Sequence, residues 1–383
     1  MTVSTPHNES QSTWGSWLTG SVSAAYSKVT SSITCPNIVG PTPSCHIEQL
    51  RQALSGDFKY NDTYEANHVK DFPESTEGPV YVTRSATTGS CFVVKHTRPA
   101  RATEREIPND AYIAGTVLAP HPNVIRVHAC LMDSQKIGRH IVHSDRHFVY
   151  MDWCRGGDLW LQMEYLWNKH RADAQPLFVL HVFVQLFEAF AFTHHGLRYI
   201  GAGKYTRDEN HKAVIHGDVK PENIFLHWSS RNIGGMPDLQ LADFGHSRLV
   251  GQTDFTTNPG TAVYWSPEDH AIGKRSFNAS GMRRDLIYNE VLYFVAANVG
   301  CGDGSTWPIG EDPSTLTIPR QYTTDNLANL VRRCLQVHPR ERASASFDAD
   351  GVLELVHGVR QVRDGMIRQG ERMEPYEWRS PPP

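Results

Sequence analysis

The sequence predicts an α+β protein of two lobes, in which a small antiparallel-sheet lobe precedes a larger helical lobe. Two β-rich runs, Val80–Val82 and Cys91–Val94, flank a turn-forming stretch and so indicate a hairpin. A third apolar run, His147–Met151, completes the strand-rich part. Beyond it, apolar residues recur at helical spacing over residues 158–170 and 176–196, which predicts two long helices.

The composition is typical of a soluble globular protein, with 39% hydrophobic and 20% charged residues among 383. A formal net charge of −4 gives no reason to expect nucleic acid as a partner. We expect no transmembrane segment and no secretory signal, because uninterrupted apolar runs of the required length are missing. Seven scattered cysteines are typical of reduced thiols, so we expect an intracellular protein, cytoplasmic or nuclear. Its oligomeric state is left open.

Shifts in composition divide the chain into four segments. Residues 1–70 begin with a stretch rich in Ser, Thr, Asn, Pro and Gly and predict a partly disordered amino-terminal extension. The small lobe is predicted over residues 71–151 and the large lobe over 152–360, while the charged residues 361–383 predict a tail. Within the large lobe, the polar residues 201–213 predict an inserted surface loop.

Four polar residues lie beside apolar runs in the middle of the chain and have the chemistry for phosphoryl transfer. Asp218, Lys220 and Asn223 are close in sequence, and Asp243 follows twenty residues after Asn223. One carboxylate can accept or orient a hydroxyl proton, a second carboxylate and an amide can bind Mg²⁺, and a lysine can balance the charge of the moving phosphoryl group. We therefore expect these side chains to surround one cleft.

In their order and spacing these residues resemble the eukaryotic protein kinases, over about residues 71–350. The segments that carry the resemblance are, in chain order, Phe92-Val-Val-Lys95, Met151-Asp-Trp-Cys154, His216-Gly-Asp-Val-Lys-Pro-Glu-Asn223, Asp243-Phe-Gly245, Pro259–Glu268 and His338-Pro-Arg-Glu-Arg342. The resemblance implies the two-lobed protein kinase fold, ATP and Mg²⁺ as cofactors, and a protein substrate. Lys220 and Thr261 resemble the serine/threonine branch, and the His-Gly-Asp loop resembles that of divergent kinases from filamentous fungi.

The resemblance also implies a role for each site residue. Asp218 is the expected base, Lys220 steadies the transferred phosphoryl group and Lys95 holds the α- and β-phosphates. Asn223 and Asp243 are the expected Mg²⁺ ligands. The residues implied in nucleotide binding are Gly78, Val80, Val93, Lys95, Asp110, Met151, Asp152, Cys154, Asp158 and Phe225. The resemblance further implies that Asp285 braces the catalytic loop and that Arg342 pairs with Glu268.

The nucleotide-binding part departs from the family pattern. Pro73 and Ser75 stand where the phosphate-binding loop has glycines, whose absence restricts the approach of backbone amides to phosphates. The acidic partner of Lys95 is Asp110, one methylene shorter than the usual Glu, or Glu106 one turn earlier. Bulky side chains at Val93 and Phe225 predict a crowded adenine pocket.

The catalytic loop departs from the pattern at Gly217, which replaces the arginine that commonly binds an activation-loop phosphate. We therefore expect less control by such a phosphate. The sequence favours phosphorylation of Ser and Thr hydroxyls on proteins, because all five catalytic and metal-binding residues are retained. A pseudokinase scaffold is the alternative, and a small-molecule kinase, which the His-Gly-Asp loop also resembles, is a third interpretation.

Overall fold

The fold is taken from a computed structural model of the chain. The structure describes residues 64–66, 78–97, 107–137, 140–170, 175–230, 233–250, 260–261, 325–336, 341–347 and 351–381. Several predictions fall outside these ranges: most of the amino-terminal extension, the loop residues Pro73 and Ser75, and the acidic residues Glu106, Glu268 and Asp285.

The small lobe is built on a five-stranded antiparallel sheet. The strands are Tyr64–Ala66 (β1), Val80–Ser85 (β2), Cys91–Thr97 (β3), Val127–Ile137 (β4) and His140–Asp152 (β5). They lie side by side in the order β1-β2-β3-β5-β4. The predicted hairpin forms between β2 and β3, because residues 86–90 make a tight turn in which the Gly89 amide donates to the Ser85 carbonyl. In this register Val80 pairs with Lys95, and Val93 pairs with Met151 on β5.

A short helix packs on one face of this sheet. It runs over Asn109–Tyr112 (α1) and continues as a π-helical turn over Ile113–Val117. Ile107 and Ala111 are buried against Val127 and Val149 of the sheet. This contact fixes the orientation of α1 and therefore the position of Asp110, which is 4% exposed.

The large lobe is organised around two helices, Leu159–His170 (α2) and Pro176–His195 (α3). Every residue from Leu177 to His194 is buried, so α3 is surrounded by protein along its whole length. Among the described residues, α3 is the one helix long and apolar enough to cross a membrane, with a mean hydropathy of 1.6. However, 94% of that segment is buried inside the protein, as expected of a core helix.

Short strand pairs hold the polar turns on one side of α3. Val214–Ile215 (β8) pairs with Arg248–Leu249 (β11), and Ile224–His227 (β9) pairs with Asp238–Leu241 (β10). Two single-turn 3₁₀ helices lie at the polar turns, at Pro221–Asn223 and Phe244–His246. The apolar runs of the sequence are therefore the strands that bring residues 216–223 next to residues 242–247.

The insertion after α3 is a hairpin, so the prediction of a plain surface loop was wrong in part. Leu197–Gly201 (β6) pairs with Lys204–Arg207 (β7). The rings of Tyr199 and Tyr205 pack edge to face at 5.3 Å. Alternate aromatic residues supply a half-buried face that the overall polarity of the insertion had concealed. The rest of the insertion, through Ala213, remains irregular.

The described residues after position 324 include the helices Asp325–Cys334 (α4) and Leu353–Arg368 (α5). Helix α5 packs against α3 and crosses residue 360, where the sequence had placed the end of the lobe. Residues 371–381, which we call the C-terminal strap, follow α5 and lie against α2 and α3. Trp378 of the strap is 3% exposed and packs against Phe178, with the ring centroids 5.4 Å apart.

Candidate active site

Lys95 connects the two lobes through two carboxylates. It projects from β3, is 8% exposed, and its Nζ lies 2.8 Å from Oδ2 of Asp110 and 2.8 Å from Oδ1 of Asp243. Of the two acids that the sequence offered as its partner, Asp110 is therefore in contact. The short side chain of Asp110 is sufficient because α1 packs directly on the sheet that carries Lys95.

Asp243 lies two residues after β10 in a left-handed backbone conformation, with φ 63° and ψ 66°. Such a conformation is costly for a residue with a Cβ, so surrounding contacts must maintain it. Burial alone would raise the pKa of Asp243, but the charge and hydrogen bond of Lys95 outweigh burial and lower it. Asp243 therefore remains an anion at neutral pH.

Asp218 is the centre of a second hydrogen-bond network, in the loop between β8 and β9. Its Oδ1 accepts hydrogen bonds from the backbone amide of Thr261 at 2.8 Å and from its hydroxyl at 3.0 Å. Its Oδ2 lies 2.9 Å from the Lys220 ammonium and 3.2 Å from Nδ2 of Asn223. Burial raises the pKa of Asp218, but these contacts with Lys220 and Thr261 outweigh burial and lower it.

Asn223 and Lys220 are oriented by the same network. Nδ2 of Asn223 donates to the Asp218 carbonyl oxygen at 2.7 Å, which directs its other amide atom, Oδ1, away from that loop. Nζ of Lys220 donates to the Thr261 hydroxyl at 2.8 Å. A cation, an amide and a hydroxyl therefore converge on one carboxylate, an arrangement suited to receiving and orienting an acceptor hydroxyl.

His216 joins the two networks, although the family resemblance implies no separate role for it. Its Nε2 donates to the Ala242 carbonyl at 2.8 Å, and its Nδ1 accepts from the Asp218 amide at 3.3 Å. The ring also packs on Phe244, with the ring centroids 4.7 Å apart. Burial lowers the pKa of His216, so a neutral imidazole links the residue before Asp243 to the backbone of Asp218. Its place in the His-Gly-Asp sequence was the available indication of this role.

The predicted adenine-binding segment forms the end of β5 and the turn after it. Oδ1 of Asp152 lies 2.6 Å from Nε2 of His128, and the buried Cys154 thiol lies 3.1 Å from Oε1 of Gln240. Burial raises the pKa of Cys154 well above its ordinary value, so this thiol is unreactive.

The remaining nucleotide-binding predictions lie around this segment. Oδ1 of Asp158 accepts from the Leu161 amide at 2.8 Å at the start of α2. Phe225 of β9 is half-buried and packs against the core of the large lobe. Gly78 lies two residues before β2, and a Cβ at this position would lie 2.7 Å from the His96 carbonyl oxygen. The register places Val80 beside Lys95 and Val93 beside Met151, while Met151 is partly buried against the core.

A profile of the protein kinase domain matches residues 74–280. This match covers more than half of the chain. The chain belongs to the protein kinase family. The matched range contains every predicted site residue of this kinase domain, from Gly78 to Asp243.

Relatives from several lineages are similar to this kinase domain. Serine/threonine-protein kinase Nek1 of Toxoplasma gondii is 31% identical over 59% of this chain and 13% of its own length. G2-specific protein kinase nimA of Emericella nidulans is 30% identical over 58% of the chain and 31% of its own length. Serine/threonine-protein kinase Nek2 of Mus musculus is 31% identical over 66% of the chain and 51% of its own length. The chain thus spans between 13% and 51% of these relatives' lengths.

These names bear on two of the alternatives raised by the sequence. All three name protein kinases, and two of them specify the serine/threonine type, so the similarity gives no support to a pseudokinase scaffold or to a small-molecule kinase. The resemblance to kinases of filamentous fungi stays a prediction, because the relatives also include a protozoan and a mammalian protein.

Proposed function

We propose that this chain transfers the γ-phosphoryl group of ATP to Ser and Thr hydroxyls of protein substrates. The observation that carries the proposal is the pair of networks around Asp218 and Lys95, which meet at His216. Asp218 accepts the proton of the substrate hydroxyl while the oxygen of that hydroxyl bonds to the γ-phosphorus. The bond from that phosphorus to the β-phosphate oxygen breaks, and ADP leaves with the electron pair.

The cationic residues have separate roles in this step. Lys220 lies beside Asp218 and balances the negative charge of the phosphoryl group as it moves. Lys95 holds the α- and β-phosphates and at the same time anchors Asp243. The contact from Lys220 to the Thr261 hydroxyl supports the serine/threonine assignment, since it links the two positions on which that assignment rests.

The donor set of Asn223 and Asp243 fits Mg²⁺, which prefers carboxylate and amide oxygens. Asn223 uses Nδ2 within the loop and so turns Oδ1 outward, and 35% of the Asp243 side chain is exposed. The chemistry that Mg²⁺ supplies when bound is neutralisation of the charge shared by the β- and γ-phosphates. The ten nucleotide-binding residues named from the sequence remain part of the proposal. The bounds of the two lobes, residues 71–151 and 152–360, belong to it as well.

We also assign the protein to an intracellular compartment with a protein substrate. Thiols outside any disulfide support this assignment: within the part of the chain that the structure describes, these are Cys91, Cys130, Cys154 and Cys334. Reduced cysteines are the norm in the cytosol and the nucleus.

The test is transfer of labelled γ-phosphate from ATP with Mg²⁺, to a mixed protein substrate and, separately, to small alcohols. Asp218→Asn should lower transfer to protein at least about 100-fold while nucleotide binding is retained, because it removes the carboxylate that accepts the proton and keeps the size of the side chain. Asp208→Asn, a matched change in the loop after β7, should leave transfer unchanged. Nucleotide binding without transfer by the native chain would favour the scaffold, and transfer to alcohols alone would favour the small-molecule kinase.

A further inference from the structure

Asn109, the first residue of α1, contacts the backbone that follows Asp243. Its Nδ2 lies 3.0 Å from the Phe244 carbonyl oxygen, 3.1 Å from that of Gly245 and 2.7 Å from that of Ser247. Carbonyl oxygens only accept hydrogen bonds, so the atom that faces them must be the amide nitrogen. Two N–H groups serve three acceptors, which means that at least one hydrogen bond is shared.

This contact joins elements far apart in sequence. Asn109 belongs to the helix that carries Asp110, whereas the three carbonyls belong to the 3₁₀ turn after Asp243 and the residue that follows it. Asp110 and Asp243 already share Lys95. The helix and the turn are thus joined twice, once through the charged side chains and once through the amide of Asn109.

The conformation of Asp243 makes the second connection important. Its left-handed backbone persists only if the residues on both sides are fixed. On the amino-terminal side, His216 fixes the backbone by binding the Ala242 carbonyl. On the carboxyl-terminal side, the described side-chain contacts to the turn include the three from Asn109.

We propose that Asn109 is a positioning residue that holds the Asp243 turn against α1 and thereby sets the affinity of the cleft for magnesium nucleotide. This inference rests on the proposed function of the same cleft. Asn109 touches no reacting atom and acts through Asp243. A role limited to starting α1 is the competing explanation, because the first turn of a helix favours Asn and Asp.

Substitution with aspartate separates the two roles. The variant Asn109→Asp should start the helix as well as the native chain or better, because a negative charge is favoured there. Against three carbonyl oxygens, however, a carboxylate has no proton to donate and is repelled. A positioning role therefore predicts that Asn109→Asp is more harmful than Asn109→Ala, and a helix-starting role predicts the reverse order.

The first measurement is hydrogen–deuterium exchange of the nucleotide-free chain over residues 241–249. We expect the exchange rate in this segment to rise about tenfold in Asn109→Asp and by less in Asn109→Ala. Both variants lack the hydrogen bonds of Asn109, so the segment opens locally at a lower cost in free energy. Strand β9 serves as an internal reference and should not change. Asn210→Asp, a matched change at an exposed position after β7, should leave both segments as in the native chain.

The second measurement is binding of a fluorescent ATP analogue with Mg²⁺, together with KM and kcat for ATP. We expect the dissociation constant and KM to rise about tenfold in Asn109→Asp, with a smaller change in kcat. Native exchange in Asn109→Asp, or a smaller effect than in Asn109→Ala, would overturn the inference. If the native chain neither binds nor transfers phosphate, the proposed function fails, while the exchange experiment still decides whether Asn109 holds the turn.

Discussion

Gly217 separates His216 from Asp218 and has a backbone φ of 87°. A Cβ at this position would lie 2.6 Å from the carbonyl oxygen of His246, closer than a carbon and an oxygen can approach without movement. The residue that replaces the family's arginine is therefore the one that fits a turn pressed against the backbone after Asp243. The departure from the family pattern has a structural reason here in addition to the predicted loss of a phosphate-binding side chain.

We expect Gly217→Ala to lower the free energy of unfolding by about 1–3 kcal/mol more than Gly201→Ala, because only the first substitution forces backbone atoms apart. Gly201 is a matched control, since it also has a positive φ, of 106°, but open space where its Cβ would lie. Urea denaturation of the two variants measures the difference. Equal losses would mean that the backbone conformation accounts for the whole effect.

Asp110 takes the place of the usual glutamate of the family and contacts Lys95 directly. Because its carboxylate already lies 2.8 Å from Lys95 in a buried site, the extra methylene in Asp110→Glu has to displace α1 or Lys95. We expect this change toward the usual family residue to destabilise the fold by about 1–3 kcal/mol and to weaken ATP binding. Denaturation and nucleotide titration measure both effects, with Asp208→Glu as control. Tighter ATP binding by Asp110→Glu would contradict the expectation.

The sequence could indicate the principal charged residues of the site, because Lys95, Asp218 and Asp243 stand in segments whose order and spacing are characteristic. It could not indicate Asn109. Its function depends on three backbone carbonyls about 135 residues away, and no pattern in the neighbourhood of residue 109 records that contact. His216 was visible as part of a motif, but its link to the Ala242 carbonyl depends on how two turns pack together.

Among the secondary structure elements, the polar C-terminal strap is attached to the large lobe by hydrogen bonds and by an aromatic contact. Nε1 of Trp378 donates to the Gly235 carbonyl at 3.1 Å, and its ring meets that of Trp228 with the centroids 5.2 Å apart. Nε2 of Gln162 on α2 donates to the Glu377 carbonyl at 2.9 Å. The charged residues of this segment predicted a tail, but one buried indole and its hydrogen bonds are enough to fix it on the lobe.

We expect Trp378→Ala to lower the free energy of unfolding by about 3–5 kcal/mol, as for other buried tryptophans, by removing the ring between Phe178 and Trp228. Tyr376→Ala, two residues earlier on a side chain that is 63% exposed, should change the same quantity by less than about 0.5 kcal/mol. Chemical denaturation of both variants is the measurement. Similar losses from the two substitutions would show that the strap contributes no specific packing.

At the scale of the whole molecule, the apolar periodicities predicted α2 and α3, and the β-rich runs predicted the β2–β3 hairpin. The paired strands β6 and β7 were missed because Lys204–Arg207 carries too many polar residues to show the alternation of a half-buried strand. The extension of α5 past residue 360 was missed because its charged residues suggested a tail, whereas Arg360 and Arg363 are buried beside Glu188 and His181 of α3. In both places tertiary packing decides the structure of a segment whose local pattern is weak.

Two histidines, the buried His216 and the half-buried His211, connect this packing to pH. Burial lowers the pKa of His216 and of His211, outweighing the hydrogen bonds to the Ala242 and Thr193 carbonyls that act in the opposite direction. Both side chains therefore stay neutral in the folded chain at a pH where the unfolded chain takes up protons. The unfolded state then binds more protons below about pH 6.5, so stability falls as the pH is lowered from there toward the folded pKa. The lowered pKa values of Asp218 and Asp243 affect stability only at a lower pH, at and below the ordinary pKa of an aspartate.

We therefore expect the free energy of unfolding to fall between pH 7.5 and pH 5.5, with His216 contributing up to about 1.4 kcal/mol per pH unit below pH 6.5 and the partly exposed His211 less. Urea denaturation at the two pH values gives the difference for the native chain. His216→Gln should reduce this difference more than His211→Gln does, whatever the substitutions do to stability at pH 7.5, because glutamine does not titrate. An unchanged difference in His216→Gln would mean that this histidine is not held neutral by the fold.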